Sequence, residues 1–163
     1  MDIHVHLTDC IIIQKRKMYK KSFINNIIIE IKEYIRAPSA YRVFILFGAP
    51  ISGKTTIAKE ICKELDGKYL DLLKDKLNII NPKLGQYLPL NFKHDINLWT
   101  KETESLLVVD EIEALFDTWV REKQEDLFKL LSRLRTDSVV LIITRLNLPY
   151  EDIMGKDKVF RVP

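Results

Sequence analysis

A glycine-containing loop between an apolar run and a helix-forming stretch constrains this chain more than any other feature. Residues 48–55 read Gly-Ala-Pro-Ile-Ser-Gly-Lys-Thr and follow the run 42–47, which is rich in β-branched and aromatic residues. Such a run is typical of a buried strand, and residues 55–65 can form a helix. A strand, a glycine loop and a helix in this order are the context of the Walker A phosphate loop. The sequence therefore predicts a site for the phosphates of a nucleotide.

The loop assigns roles to its own residues. Gly48 and Gly53 permit backbone angles that a residue with a Cβ resists, so consecutive amides can point at phosphate. The start of the following helix adds partial positive charge. We expect Lys54 to reach the β- and γ-phosphates and the Thr55 hydroxyl to bind Mg²⁺, with ATP as the nucleotide. The expected nucleotide-binding residues are Gly48, Ala49, Pro50, Ile51, Ser52, Gly53, Lys54, Thr55 and Thr56.

A second apolar run, residues 106–109, ends in an acidic pair. A strand buried on both faces needs a continuous apolar run, and its carboxyl end opens into the crevice beside the phosphate loop. Asp110 is placed there to hold Mg²⁺, usually through water. Glu111 can polarise the attacking water as a general base, and Glu113 is a second candidate for the base. The acidic pair therefore predicts hydrolysis of ATP in addition to binding.

Three arginines are further candidates for catalysis. Arg145 follows the predicted strand 139–143, where we expect it to contact the γ-phosphate; Thr144 is the alternative, and a surface position is the simpler explanation. Arg133 and Arg135 end the preceding helix, where cations are favoured in any case. The alternative is an arginine finger that is donated to the ATP of a neighbouring subunit, a contribution worth about 10³–10⁵ in rate.

The hydrophobic pattern alternates strands with helices along the chain. We predict strands at 42–47, 68–73, 106–109, 139–143 and 158–162. We predict helices at 19–36, 55–65 and 112–135 (the last interrupted near Asp117), and short helices at 83–88, at 95–104 and between Pro149 and Gly155. This alternation predicts an α/β fold with a five-stranded, mainly parallel sheet that is covered by helices on both sides.

Length and charge bound the remaining possibilities. The 163 residues suit one domain, which we place at 18–163, after a poorly patterned N-terminal extension at 1–17. No apolar run approaches the roughly 20 residues that span a bilayer, and the N-terminus does not look like a signal peptide. We therefore expect a cytoplasmic protein that makes no membrane contact.

A cluster of basic residues lies near the N-terminus and consists of Lys15, Arg16, Lys17, Lys20 and Lys21. The cluster suits DNA phosphates or an acidic partner, although a solvated helix start explains it as well.

The two Walker elements resemble those of a known branch of P-loop proteins. The extra strand between them and the Asp110-Glu111 pair look like the glutamate-bearing branch, which includes the AAA+ and signal-transducing NTPase families. The sequence of residues 142–145, Ile-Ile-Thr-Arg, is similar to a strand signature of the latter, in which the arginine reads the γ-phosphate. The resemblance implies a three-layer, AAA+/RecA-like core. Because the chain stops at Pro163, we expect no C-terminal helical lid.

Two later segments resemble a smaller family. Residues 110–117, Asp-Glu-Ile-Glu-Ala-Leu-Phe-Asp, and 127–136, Leu-Phe-Lys-Leu-Leu-Ser-Arg-Leu-Arg-Thr, look like the BrxF family, the short P-loop proteins of type 3 bacteriophage-exclusion (BREX) systems. With the phosphate loop, the likeness covers roughly residues 40–145, and the acid shared by that family aligns with Glu113. The resemblance implies a homo-oligomeric ATPase that acts with other proteins in a phage-defence complex.

Two other functions stay open at this point. A small-molecule or nucleotide kinase is suggested by the size of the chain and by Arg133 and Arg135, which could form a phosphate-clamping lid. A nucleotide-dependent binding module with negligible turnover is suggested by the expected absence of a helical lid. A kinase consumes ATP only with an acceptor, whereas a binding module assembles on ATP without releasing phosphate.

Overall fold

Five strands form a single parallel sheet. The structure is a computed structural model that describes residues 3–37, 41–81 and 85–163. The strands are β1 (Val43–Phe47), β2 (Lys68–Asp71), β3 (Leu106–Asp110), β4 (Val139–Thr144) and β5 (Val159–Arg161). Their order across the sheet is β2-β3-β4-β1-β5, and every pair is parallel. The predicted α/β class and the parallel sheet are confirmed.

The strand order brings the two Walker elements together. β4 lies between β1 and β3, with Phe47 opposite Thr144 and Val109 opposite Ile142. On the other side of β3, Asp71 at the end of β2 lies opposite Asp110. Because the strands are parallel, their carboxyl ends meet at one edge of the sheet, which is where ligands bind in open α/β folds.

Seven α-helices are assigned in the described ranges. They are α1 (Ile3–Arg36), α2 (Lys54–Glu64), α3 (Leu77–Ile80), α4 (Pro89–Trp99), α5 (Glu113–Phe116), α6 (Arg121–Ser132) and α7 (Tyr150–Met154). A π-helical turn covers Leu72–Lys76, and 3₁₀ turns cover Thr100–Glu102 and Lys156–Lys158. No helix within these ranges is long and apolar enough to cross a bilayer.

The helices form layers on both faces of the sheet. In β1 the side chains of Phe44 and Leu46 pack against α1 and α2, whereas those of Val43 and Ile45 pack against the helices of the opposite face. This division follows from the two-residue period of a strand, and it explains why the inner strands are continuously apolar. On the second face the aromatic rings of α4 to α7 contact one another, at centroid distances of 4.9–6.3 Å; they are Phe92, Phe116, Phe128 and Tyr150.

Helix α1 starts much earlier than the predicted residue 19. Residues 3–17, expected to be poorly patterned, continue the helix toward the N-terminus. Residues 13–22 are exposed, and the buried positions begin near Ile24. Lysine, arginine, glutamine and methionine are good helix formers, so this segment can be helical without an apolar stripe that faces the sheet. The domain boundary that we placed at residue 18 stays a prediction.

The segment between β2 and β3 also differs from the prediction. The helix expected at 95–104 instead begins at Pro89, because proline is tolerated in the first helical turn. The side chain of Asn91 accepts a hydrogen bond from the amide of Leu88 at 2.8 Å and fixes this start. The helix expected at 83–88 is wrong for residues 85–88, and residues 83–84 lie outside the described ranges. The expected break near Asp117 is confirmed, since α5 and α6 are separate.

Candidate nucleotide-binding site

The predicted phosphate loop connects the carboxyl end of β1 to the start of α2. Gly53 precedes the helix with φ at +82°, in the left-handed region that favours glycine. At Gly48 a Cβ would lie 2.8 Å from Oγ of Ser52 and 3.0 Å from Cβ of Val162, so the chain passes too closely for a larger residue. The first amides of a helix have no intrahelical acceptor. Those of α2 therefore point out of the helix toward the loop and can bind an anion.

Lys54 folds back over this loop. Its Nζ donates hydrogen bonds to the carbonyl of Ala49 at 2.5 Å and to Oγ of Ser52 at 3.3 Å. Burial lowers the pKa of the ammonium group, while the nearby carboxylates of Glu113 and Asp110 act in the opposite direction. A phosphate would offer this ammonium a charged acceptor in place of two neutral ones, and charge-assisted hydrogen bonds are the stronger kind.

The two predicted magnesium ligands meet at the sheet edge. Oγ1 of Thr55, at the start of α2, donates a hydrogen bond of 2.7 Å to Oδ2 of Asp110, at the end of β3. In the described ranges no group of three or more histidine, cysteine or acidic side chains is arranged to hold a metal alone. One hydroxyl and one carboxylate suit Mg²⁺, which takes oxygen ligands and relies on phosphates and water for the rest of its shell.

Tyr69 belongs to this site although its sequence context does not single it out. Its hydroxyl donates a hydrogen bond of 2.6 Å to the same Oδ2 of Asp110. Tyr69 lies opposite Val108 in the register of β2 and β3, so its side chain points to the same face as that of Asp110, two residues further along. The strand alternation could have placed Tyr69 on this face, but only once the register was known.

The two glutamates proposed as the base differ in surroundings. Glu113, at the start of α5, is buried, and its Oε1 accepts hydrogen bonds from Oγ1 of Thr144 at 2.9 Å and from the amide of Arg145 at 2.7 Å. Glu111 is exposed and has φ at +59°, which is uncommon for a residue with a side chain. Glu113 is therefore anchored to the end of β4, whereas Glu111 sits in a strained turn at the mouth of the site.

Both glutamates face one cleft. Partial burial raises the pKa of Glu111, and the negative charges of Asp110 and Glu113 raise it further. A carboxylate with a raised pKa is a better proton acceptor. The cleft has a volume of about 220 Å³, and its lining is Pro50, Ile51, Lys54, Thr55, Asp110, Glu111, Glu113, Ile143, Thr144 and Arg145.

The predicted arginines separate into two groups. Arg145 lines the cleft from the carboxyl end of β4. Arg133 instead follows the end of α6, and the guanidinium carbon of Arg135 lies 5.8 Å from the ring centroid of Tyr41, just before β1. Both lie at the amino ends of the strands, opposite the phosphate loop. The structure therefore does not bring Arg133 or Arg135 to the site of the same chain.

A second cavity lies on the other side of the phosphate loop. Its volume is about 510 Å³, and it separates α1 from the loop and from the residues that follow β5. Apolar and aromatic side chains contribute most of its walls, with two basic residues at one side. The lining is Arg16, Tyr19, Lys20, Phe23, Ser52, Ile57, Val162 and Pro163.

The sequence of this chain was compared with models of known protein families. Residues 44–153 match the family described as the ATPase family associated with various cellular activities (AAA), so the match covers both Walker elements and β4. A comparison with curated protein sequences finds no match.

Two solved structures share the fold. PCH-2 of C. elegans superposes with a TM-score of 0.55 over 89% of this chain, at 15% identity. ORC1 of Aeropyrum pernix, solved in complex with DNA, superposes with a TM-score of 0.54 over 88% of this chain, also at 15% identity. The chain spans 43% and 45% of these two proteins respectively. At this identity the likeness shows the fold alone.

Proposed function

Since this chain belongs to the AAA family of ATPases, we propose that it is a Mg²⁺-dependent subunit that binds and hydrolyses ATP. Membership of the family indicates nucleotide binding and hydrolysis in general. The observation that carries the proposal for this chain is the 2.7 Å contact between the Thr55 hydroxyl and the Asp110 carboxylate, beside Lys54. The two oxygens are the ligand types that Mg²⁺ takes when it is bound with phosphates.

In this proposal different parts of the nucleotide bind to the phosphate loop, the cleft and the second cavity. The amides at the start of α2 and the ammonium of Lys54 hold the phosphates. Thr55 and Asp110 would hold the Mg²⁺, which would neutralise phosphate charge. The second cavity adjoins the loop at Ser52, so it has the position and the apolar walls to take the base and ribose.

Glu111 is the general base in this proposal. It lines the cleft, is exposed, and has a raised pKa, so it can take a proton from the attacking water. Glu113 already accepts two hydrogen bonds from the end of β4. It therefore holds that end in place, and Arg145, which follows directly, contacts the γ-phosphate. Separate substitution of the two glutamates tests the reverse assignment, with Glu113 as the base.

The remaining arginines support an oligomer. Arg133 and Arg135 are exposed at the sheet edge opposite the phosphate loop of their own chain. In this position either can be presented to the site of a second copy, as an arginine finger supplied in trans. We therefore propose a homo-oligomer in which each site is completed by its neighbour.

The cellular role is proposed from the resemblance of residues 110–117 and 127–136 to the BrxF family. In this proposal the oligomer acts in a BREX-type phage-defence complex in the cytoplasm, with other proteins of that complex as partners. DNA contact is supported by the basic cluster, Lys15 to Lys21, because the cluster lies on the exposed part of α1. Neighbouring genes for a methyltransferase and a large helicase-like or phosphatase-like protein would support this role.

Phosphate release from ATP with and without Mg²⁺ tests the proposed activity. We expect Mg²⁺-dependent turnover that Lys54→Ala and Asp110→Asn abolish, because each removes a group that would bind the phosphates or the metal. Lys63→Ala, an exposed lysine in the last turn of the same helix, is the matched control and keeps turnover. Two results would contradict the proposal: ATP consumption only with an added hydroxyl acceptor indicates a kinase, and ATP binding with background phosphate release indicates a binding module.

A further inference from the structure

Two hydroxyl groups converge on one oxygen of the buried Asp110. Thr55 donates to Oδ2 at 2.7 Å and Tyr69 donates to the same oxygen at 2.6 Å. We infer that Tyr69 is a positioning residue, which holds the carboxylate of Asp110 in the orientation that binds Mg²⁺. This inference rests on the proposed function, because it concerns the same metal site.

The carboxylate of Asp110 needs such support because it can rotate. The terminal torsion of an aspartate has a broad, nearly two-fold preference, so packing alone does not fix its oxygens. One oxygen, Oδ1, accepts a hydrogen bond of 2.8 Å from the amide of Glu111. Thr55 and Tyr69 donate to the other oxygen, Oδ2, so three donors together set the torsion of the rigid carboxylate group.

The two donors are not equivalent. A hydroxyl has one proton and two lone pairs, so Thr55 can donate to Asp110 while a lone pair faces the metal. The position of the Thr55 hydroxyl therefore depends on both Asp110 and the metal. Tyr69 lies one strand away and makes its bond without needing the nucleotide. It can hold Asp110 ready for Mg²⁺ both before and after the metal binds.

Tyr69 is itself well supported. Its backbone pairs with β3, the strand that carries Asp110, with Tyr69 opposite Val108. Its ring lies 5.1 Å from Nζ of Lys59, which is on α2, one turn after Thr55. The ring is thus held between the two elements that supply the two metal ligands. A rigid partner of this kind is what an outer-shell residue of a metal site requires.

Tyr69→Phe isolates the hydroxyl, because it keeps the ring and its packing. Loss of an outer-shell partner typically costs about 10- to 100-fold in metal affinity. We expect the variant to need about tenfold more Mg²⁺ for half-maximal ATP hydrolysis, while nucleotide binding without metal stays unchanged. If Tyr69 had only a structural role, Tyr69→Phe would lower the unfolding temperature and leave the Mg²⁺ requirement unchanged.

Tyr87→Phe is a matched control. The Tyr87 hydroxyl donates to Oδ2 of Asp95 at 2.5 Å, which is the same kind of tyrosine–aspartate bond, and both residues lie outside the lining of the cleft. Tyr87→Phe removes a comparable hydrogen bond, but that bond does not involve Thr55 or Asp110, the proposed metal ligands. We expect Tyr87→Phe to change stability without changing the Mg²⁺ requirement.

Metal binding can be measured without turnover. Mn²⁺ is titrated into each protein saturated with a non-hydrolysable ATP analogue, and bound Mn²⁺ is followed by electron paramagnetic resonance, normalised to the folded fraction from circular dichroism. A Mn²⁺ affinity reduced about tenfold in Tyr69→Phe, and unchanged in Tyr87→Phe, supports the inference. Wild-type affinity in Tyr69→Phe, or an equal loss in both variants, overturns it and leaves the proposed function intact. Failure of the wild-type protein to bind the metal–nucleotide complex overturns both.

Discussion

The carboxylate of Glu113 is hydrogen-bonded to the hydroxyl of Thr144 at 2.9 Å, across the gap between the start of α5 and the end of β4. The same Oε1 accepts the amide of Arg145 at 2.7 Å. Glu113 therefore ties the start of α5 to Arg145, the proposed γ-phosphate contact, whereas Glu111 lies at the mouth of the cleft. This arrangement predicts different roles for the two acids.

Separate substitution of the two glutamates tests that division. Glu111→Gln is expected to lower turnover by about 10²–10⁴, the usual contribution of a general base, while ATP binding is kept. Glu113→Gln should lower turnover less than Glu111→Gln does. Unlike Glu111→Gln, it should also lower the unfolding temperature, because a neutral amide oxygen accepts the hydrogen bonds from the end of β4 more weakly than the buried carboxylate does. Phosphate release, nucleotide affinity and thermal unfolding measure the three quantities. Normal turnover in Glu111→Gln together with an inactive Glu113→Gln would reverse the roles, and turnover that survives both substitutions would exclude either acid as the base.

The parts of the site that could be predicted from sequence follow local rules. Residues 48–55 and Asp110 each need a particular residue type at the end of a continuous apolar run, and the structure brings them together. Tyr69 could not be found in this way, because its bond to Asp110 joins residues 41 positions apart and depends on the register of two strands. The start of α1 could not be predicted either, since residues 13–22 have no buried face and hence no pattern.

The loop stores strain at Ile51. Its φ is +63° and its side chain is fully exposed, at 103%. A residue with a β-carbon pays about 1–2 kcal/mol in the left-handed region, whereas glycine adds about 0.5–1 kcal/mol of conformational entropy to the unfolded chain. We expect Ile51→Gly to raise the free energy of unfolding by up to about 1 kcal/mol. Ile51→Ala keeps the strain and serves as the control, with no comparable gain.

Denaturant unfolding of the two variants separates strain from side-chain contacts. The exposed isoleucine makes little packing contribution, so a gain that appears with glycine alone comes from the backbone. A loss of stability in Ile51→Gly would show that the left-handed angle is not strained in this loop. Nucleotide affinity measured in parallel tells whether the strained angle also matters for phosphate binding.

The charge of Glu111 should make stability depend on pH. Its pKa is raised above 4.5 in the folded chain, so the native state binds a proton more readily than the unfolded state. Stability therefore falls as pH rises from the ordinary carboxyl pKa through the raised one, and the loss persists at neutral pH. We expect Glu111→Gln to have a higher unfolding temperature than the wild type at pH 7, and a smaller difference at pH 4.

Thermal unfolding across this pH range, without nucleotide or metal, is the measurement. Glu104→Gln removes an exposed acid from the loop before β3 and is the control; it should give the same small change at both pH values. An equal difference for Glu111→Gln at pH 7 and pH 4 would mean that neither partial burial nor repulsion from Asp110 and Glu113 disfavours its charge.

The position of Arg133 and Arg135 predicts catalysis in trans. If either is an arginine finger, its replacement by alanine should reduce turnover by about 10³-fold or more and leave ATP binding unchanged. If both merely favour the helix end, each replacement should cost about 0.3–1 kcal/mol of stability and little turnover. Arg121→Ala, at the other end of α6, is the control and should leave turnover unchanged.

Mixing two inactive variants decides whether the arginine acts across subunits. Lys54→Ala has a defective phosphate site but intact arginines, whereas Arg133→Ala or Arg135→Ala has an intact phosphate site. In a mixed oligomer the arginine of the first protein can complete the site of the second, so part of the turnover should return. The regained activity should depend on protein concentration, because it requires assembly, and sedimentation with ATP and Mg²⁺ should show the oligomer. If mixed oligomers form but turnover stays absent, the arginine does not act across subunits. That result would contradict the prediction drawn from the distance between Arg133 and Arg135 and the phosphate loop of their own chain.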